Sequence, residues 1–324
     1  RVYSTRTPHG SRMQAINLKL FTTSLFIWAV TAVAAQNIHY AKPNMNTKAL
    51  QALIDKGGRV VFAKGEYHTG QLELKSGVEL HLEEGAVILG STSPYDYNKV
   101  ETKQSAGDER KDKSQLGLII ANNAHDIAIT GSGTIDGQGL ALALTIDSLH
   151  HIGERIDPNY NKRRQRPSEL VRPTLFNLVD CKDVRIEGVH LRNSAGWGLS
   201  FHQCVDVHLN NLDILNRAYW NNDGIDLTDC KQVLIENCRV NSADDGICLK
   251  SYNPESCNED INIHNCEIRS SASAIKFGTA SYGGFRNISI SGIRVFDTFR
   301  SALAIESVDG AIIEDVSADD IIAI

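Results

Sequence analysis

Short apolar segments return along the chain at nearly constant spacing. They stand at Val184-Arg185-Ile186, Val207-His208-Leu209, Val233-Leu234-Ile235, Ile261-Asn262-Ile263, Ile288-Ser289-Ile290 and Ala311-Ile312-Ile313, with steps of 23, 26, 28, 27 and 23 between their first residues. A second alternating pair follows the same period at Ile225/Leu227, Ile247/Leu249, Ile275/Phe277 and Leu303/Ile305. Period-two alternation over a few residues, closed by Asn, Gly or Asp, predicts short strands ended by turns. Repeats of this length with several strands and no helical segment between them predict a solenoid, and specifically an all-β parallel β-helix whose inward residues stack into one continuous core.

The N-terminal part reads as the entry to the same stack. Asn46 to Asp55 predicts a short amphipathic helix that caps the open end of the core, and strands follow at Arg59-Val60-Val61-Phe62, Leu72-Glu73-Leu74, Val78 to Leu82 and Ile127-Ala128-Ile129. Two polar segments break the pattern, Ser93 to Ser114 and Ile146 to Arg172; the second is rich in Arg and His and predicts a long loop. Before all this lies Met13, followed by an apolar run from Leu20 to Val33 that ends in small residues. That arrangement predicts a secretory signal peptide over 13–35, cut near Ala34 to Gln36, behind an upstream extension over 1–12. The expected location is therefore secreted or periplasmic. Residues 36–324 are expected to form a single β-helix domain that is C-terminally truncated, because Ile324 stops inside a patterned segment.

Composition narrows the function classes. Of 324 residues, 33 are Lys or Arg and 39 Asp or Glu, for a net charge of -6, which offers no basic field for nucleic acid or an anionic membrane. A monomer without cofactor is expected. Of seven cysteines five follow the repeat: Cys181, Cys204 and Cys230 lie three residues before a strand anchor, and Cys238 and Cys266 five after one. With no close C-x-x-C pair, they read as small buried residues stacked between coils rather than as a zinc or disulfide framework.

Candidate chemistry emerges when the second strands are aligned. If Ile225, Ile247, Ile275 and Leu303 are equivalent inward positions, then Asp223, Asp245, Ser273 and Ser301 share one column, and Asn222 and Asp244 share the next. Adjacent coils of a parallel sheet lie about 4.8 Å apart, so three carboxylates crowd one patch. Like charges raise one another's pKa, and such clusters serve acid/base chemistry, as in glycosidic hydrolysis by two carboxyl groups, or hold calcium. They also occur as strand-capping turns.

The pair Asn221-Asn222-Asp223-Gly224-Ile225-Asp226 and Ala243-Asp244-Asp245-Gly246-Ile247-Cys248-Leu249-Lys250-Ser251 resembles the signatures of glycoside hydrolase family 28, the polygalacturonase family, in a divergent bacterial form. Supporting similarity runs from about Asn46 to the C-terminus. It includes Leu80 to Ala86, Gly131 to Gly139, Arg172-Pro173 and Gly283-Gly284-Phe285-Arg286-Asn287. The resemblance implies a right-handed parallel β-helix that hydrolyses α-linked uronic-acid polymers of pectin with inversion. It implies Asp244 as general acid, with Asp223 and Asp245 holding and deprotonating the water, on a polysaccharide or oligosaccharide substrate and with no metal.

Two family features are replaced. Ala272-Ser273-Ala274 stands where the family has Gly-His-Gly, and Ala304-Ile305-Glu306 where it has the Arg-Ile-Lys that binds the substrate carboxylate. Lys276 shares the outward column of Ala304, and Lys250 that of Glu306. Both are therefore expected as a relocated cationic subsite, the competing reading being lysines that are solvated or paired with Glu306 or Asp226, and Asn222 and Glu306 are expected among the substrate-binding residues. Trp220 is expected to stack on a sugar, with Tyr219 and Trp197 nearby, and His202, His150 and His151 are candidates for a replacement histidine. The expected function is a secreted pectic glycosidase. A calcium-dependent β-helix lyase and a non-catalytic carbohydrate-binding β-helix are the alternatives.

Overall fold

The computed structural model describes residues 37–99, 114–154 and 157–324. The upstream extension and signal peptide expected over 1–35, and most of the polar segment Ser93 to Ser114, lie outside them. The described residues wind into coils of parallel strands, each coil carrying three strand positions. In a central coil these are Ile225–Thr228, Lys231–Glu236 and Arg239–Ser242. Each pairs in parallel with its counterpart one coil away: Val184, Val207, Val233, Ile261 and Ile288 stand in one line, and Ile225, Ile247, Ile275 and Leu303 in another. The first strand of each coil joins an eight-stranded sheet from Leu72–Glu73 to Ser301–Ile305, while the other two line the remaining faces.

Local chemistry explains why the coils repeat. The residue before each anchor is Asp183, Asp206, Gln232, Asp260 or Asn287, all with φ between 51° and 58°. Asp and Asn tolerate this left-handed conformation better than other residues with a Cβ, so the turn falls at the same place every coil. Asn side chains add rungs: Asn237 Nδ2 donates to Asn210 Oδ1 at 2.9 Å, and Asn265 Nδ2 to Asn237 Oδ1 at 2.5 Å. Inside, the anchors and their i+2 partners are fully buried and form one cluster along the axis. Burial of each Ile or Leu contributes about 1.5–3 kcal/mol. All seven cysteines are free thiols, five of them buried in this stack, and Cys204 Sγ donates to Leu178 O on the preceding coil at 3.4 Å.

The entry helix forms as Thr47–Ile54, with Asn46 as N-cap accepting from Ala49 N at 2.9 Å and Leu50 and Ile54 turned onto the core. Two expectations are corrected. The segment from Ile146 is not all loop, because a helix, Gly139–His151, runs into it. Its buried face is only Gly139, Leu142, Ala143 and Ile146, a stripe too narrow to stand out in the apolar stretch Leu140 to Leu149. The last repeat is anchored at Val316, opposite Ile288, and not at Ala311, so its step is 28 residues and not 23. The strand Ile312–Ala323 begins early, pairing Ile312 and Ile313 with Gly284 and Phe285, and those apolar residues imitate an anchor.

Register makes a direct prediction. Ile235 is fully buried, whereas its neighbour Leu234 points outward and is half-buried. Ile235→Ala should lower the unfolding free energy by about 2–5 kcal/mol, and Leu234→Ala by less than about 1 kcal/mol, in urea titrations. Equal losses at the two positions would contradict the assigned register.

Candidate active site

The site forms where the eight-stranded sheet meets the turns that enter its strands. Ile225 pairs with Ile247, Ile247 with Ile275, and Ser273 with Ser301, so Asp223, Asp245, Ser273 and Ser301 do form one column. Glycine follows both aspartates because the backbones nearly touch. A Cβ on Gly224 would sit 2.5 Å from Gly246 O, and one on Gly246 2.4 Å from Ala274 O.

The turn carrying Tyr219 to Asp223 is held from beneath. Arg172 is completely buried, its Nη1 donates to Ala195 O and Trp220 O at 2.6 Å each, and its Nη2 donates to Asn221 Oδ1 at 2.8 Å. Its guanidinium also lies 5.3 Å from the Tyr219 ring centroid. Asn222 is buried as well: its Nδ2 donates to Ser194 O and Gly196 O at 2.9 and 2.7 Å, while its Oδ1 accepts from Tyr219 N. All of its amide is engaged inside the turn, so Asn222 shapes the site from below rather than facing a substrate.

Charge balance around the aspartates is set by the two lysines. Lys250 Nζ lies 3.1 Å from Asp226 Oδ1 and 3.7 Å from Asp223 Oδ2, donates to Cys248 Sγ at 2.8 Å, and sits 4.7 Å from the Trp197 ring centroid. Asp223, Asp226 and Cys248 bring ligand atoms within 4.8 Å of one another, a donor set that suits a cation. The Lys250 ammonium lies against all three of these groups. Lys276 Nζ lies 3.3 Å from Asp245 Oδ2 and 3.8 Å from Glu306. Asp245 Oδ1 accepts from Ser273 N at 3.1 Å, and Ser301 Oγ donates to Ser273 Oγ at 3.0 Å. A chain of hydroxyls thus fills the column position expected to lack the family histidine. Lys276 is in its expected column opposite Ala304, the ladder shifts register at Lys250, and both lysines are ion-paired, with Asp226 and Glu306 among their partners as the competing reading had it.

The environments of the carboxyls diverge. Burial, then the neighbouring Asp226, holds Asp223 well above the usual carboxylate range, with Lys250 pulling the other way. Burial pushes Asp226 up to about 6 against the attraction of Lys250. One ammonium cannot neutralise two buried carboxylates, so the pair retains a proton more readily than either would in water. Asp244 is raised by partial burial and by Asp245, while Lys250, Arg300 and Lys276 oppose the shift.

Asp244 opens into a cleft of about 530 Å³, whose walls include Tyr219, Trp220, Asn221, Ser271, Ala272 and Arg300. Trp220 is 59% exposed there, with the Arg166 guanidinium 4.7 Å from its ring centroid. The histidine candidates stand elsewhere. His202 is buried in the strand Leu199–His202, and His150 and His151 end the helix Gly139–His151, where His150 stacks on Tyr160 at 3.8 Å. Sequence reasoning missed Arg300, Cys248 and the anchoring part of Arg172. The last stood within a quoted motif, while Arg300 carried no periodic signal.

Known proteins resemble this chain over most of its length. Residues 63–298 match the family model of glycosyl hydrolases family 28. A probable polygalacturonase of Vitis vinifera is 26% identical over 292 residues, covering 86% of this chain and 52% of that protein. Among solved structures, a family 28 exopolygalacturonase of Yersinia enterocolitica superposes with a TM-score of 0.70 at 20% identity, covering 90% of this chain and 66% of the other. A hyperthermoactive exopolygalacturonase of Thermotoga maritima superposes with a TM-score of 0.67 at 22% identity, covering 89% and 75%. The fold they share is the right-handed parallel β-helix. The chain spans about half or less of the length of the curated relatives it matches.

The buried ammonium yields a stability prediction. Lys250→Met leaves Asp223 and Asp226 without their cation, and the expected loss at pH 7 is about 3–5 kcal/mol. Both carboxyls titrate above the unfolded value, so the folded state binds protons more tightly, and stability declines as pH rises from about 4. The loss in Lys250→Met should therefore be smaller at pH 4 than at pH 7. Urea midpoints that fall equally at both values would argue for a packing effect instead.

Proposed function

The chain belongs to glycosyl hydrolases family 28, and from that membership we propose that it hydrolyses glycosidic bonds of a pectic uronide by an inverting acid/base mechanism. The observation that carries the reading is the split among three adjacent aspartates, of which Asp244 alone opens on the cleft with a raised pKa. A carboxyl that keeps its proton into the working pH range suits a general acid, and Asp244 would protonate the leaving glycosidic oxygen. Asp245, paired with Lys276 and fixed by Ser273 N, would take the proton from the attacking water. Asp223, whose own carboxyl favours the protonated form, would hold that water as a donor. Water then attacks the anomeric carbon on the face opposite the departing sugar, and the configuration inverts.

The substrate is read from the relatives' own names, polygalacturonase and exopolygalacturonase, together with the aromatic wall at Trp220. Export to the cell exterior or periplasm is supported by the apolar run Leu20 to Val33 and the small residues that close it.

Asp244→Asn should reduce release of reducing ends from homogalacturonan or rhamnogalacturonan by roughly 10²–10⁴-fold. Proton NMR of the first-formed product should show the β anomer from an α-linked substrate. Unchanged turnover in Asp244→Asn would refute the site, and an initial α anomer the inverting step. A chain that binds glycans yet releases no sugar would favour the binding-protein alternative.

The pH profile gives a separate check. Asp244 acts when protonated, so its raised pKa places the alkaline limb of kcat/KM above the usual carboxylate range, activity being present below that limb and lost through it. A limb at about 4 would contradict the assignment.

A further inference from the structure

The family's substrate-binding Arg-Ile-Lys is replaced here by Ala304-Ile305-Glu306, and Glu306 would repel a uronate placed on it. A cleft that binds a polyanion requires a cation whose charge is not already compensated. Lys250 is shared by Asp226, Asp223 and the Cys248 thiol, and Lys276 by Asp245 and Glu306. Arg172 is bound to carbonyls and Asn221, and Arg166 ion-pairs with Glu169 at 3.3 Å. Arg269 Nη1 donates to Ser242 O and Ser271 Oγ at 3.1 and 2.7 Å.

Arg300 differs from all of these. It lies in the wall of the cleft that holds Asp244, is exposed, and has no carboxylate partner among the described residues. Its field nevertheless reaches Asp244, whose pKa it lowers. Its turn is fixed to the preceding coil: Arg300 N donates to Ala272 O at 2.9 Å, Phe299 N to Ser270 O at 3.2 Å, and Ser270 N to Thr298 Oγ1 at 3.2 Å. The guanidinium is thus carried on a pinned backbone beside the acid, across from the Trp220 wall.

We propose that Arg300 is the specificity residue of this cleft, binding the free carboxylate of a uronate unit next to the scissile bond in place of the missing Arg-Ile-Lys. The proposal rests on the uronide reading above and adds to it the preference for free acid over methyl ester. A guanidinium matches a carboxylate with two parallel N–H donors, whereas a methyl ester presents no charge and one fewer acceptor position of equal strength.

The test compares a galacturonic acid trimer with its methyl ester, on the full chain, for Arg300→Gln and Arg300→Lys. Affinity is read by calorimetry in an Asp244→Asn background, and KM and kcat are read in the active protein. A hydrogen bond to a charged group contributes about 1.5–3 kcal/mol, so Arg300→Gln should weaken binding of the acid by roughly 10–100-fold. Binding of the ester should stay within about twofold, KM should change more than kcat, and Lys should restore part of the loss. Equal affinities of the unaltered cleft for acid and ester, or an acid preference that survives Arg300→Gln, would overturn the proposal. Selective binding of the acid without turnover would instead leave Arg300 in its role and remove the hydrolase reading.

Discussion

Each coil must return its backbone to the same positions one strand spacing, about 4.8 Å, further along the axis. Everything else in the molecule answers to that constraint. The left-handed turn residues Asp206, Gln232 and Asp260 repeat because the path must bend at the same point. Gly224 and Gly246 repeat because neighbouring turns leave no room for a Cβ. The same return places Asp223 beside Asp245 although the chain separates them by a full coil. Crowded carboxylates are thus a product of stacking, and the energetic problem they create falls to their neighbours.

That problem is met within the sheet. The outward column beside the aspartates reads Asp226, Cys248, Lys276, and Lys250 folds back between Asp223 and Asp226. Two buried carboxylates facing one ammonium are undercompensated, and the shortfall appears as raised pKa values rather than as disruption of the fold. Replacing such a cluster by apolar groups is often neutral or stabilising in proteins generally. Its presence on the strands that follow the turns lining the cleft therefore points to a role in fixing charge next to the proposed chemistry.

Much of this was legible beforehand because burial and strand period write themselves into sequence. Ile225, Ile247, Ile275 and Leu303 had to align if the repeat was real, and the aspartate column followed by counting. What escaped was whatever depends on side-chain direction or on breaks in the repeat. Counting offered Asp226 and Glu306 as partners for Lys250 and Lys276, yet could not decide between that pairing and a substrate-binding role. It put Asn222 beside Asp244, whereas a turn tightened by Arg172 draws that amide under the surface. The helix Gly139–His151 and the shifted anchor at Val316 were hidden for one reason: an apolar stretch without clean alternation fits more than one register.

The division of labour proposed for the double aspartate follows from backbone geometry more than from residue type. Successive residues at a strand entrance project to different sides, so two adjacent aspartates cannot share one environment. Asp245 falls into the column of Asp223 and meets Lys276 and the Ser273 N–H. Asp244, one residue earlier, falls outside that column, loses direct pairing, and opens on the cleft with Arg300 in its wall. In the proposed mechanism an acid and a base arise from one dipeptide, because the stack supplies a fixed cation to the second position and a cleft to the first. Serine at the family's histidine position leaves the Ser273 N–H bond to Asp245 in place, whereas Glu306, at the Arg-Ile-Lys position, shares Lys276 with Asp245. What these substitutions alter is the cationic surface around the dipeptide, where the proposed uronate specificity resides.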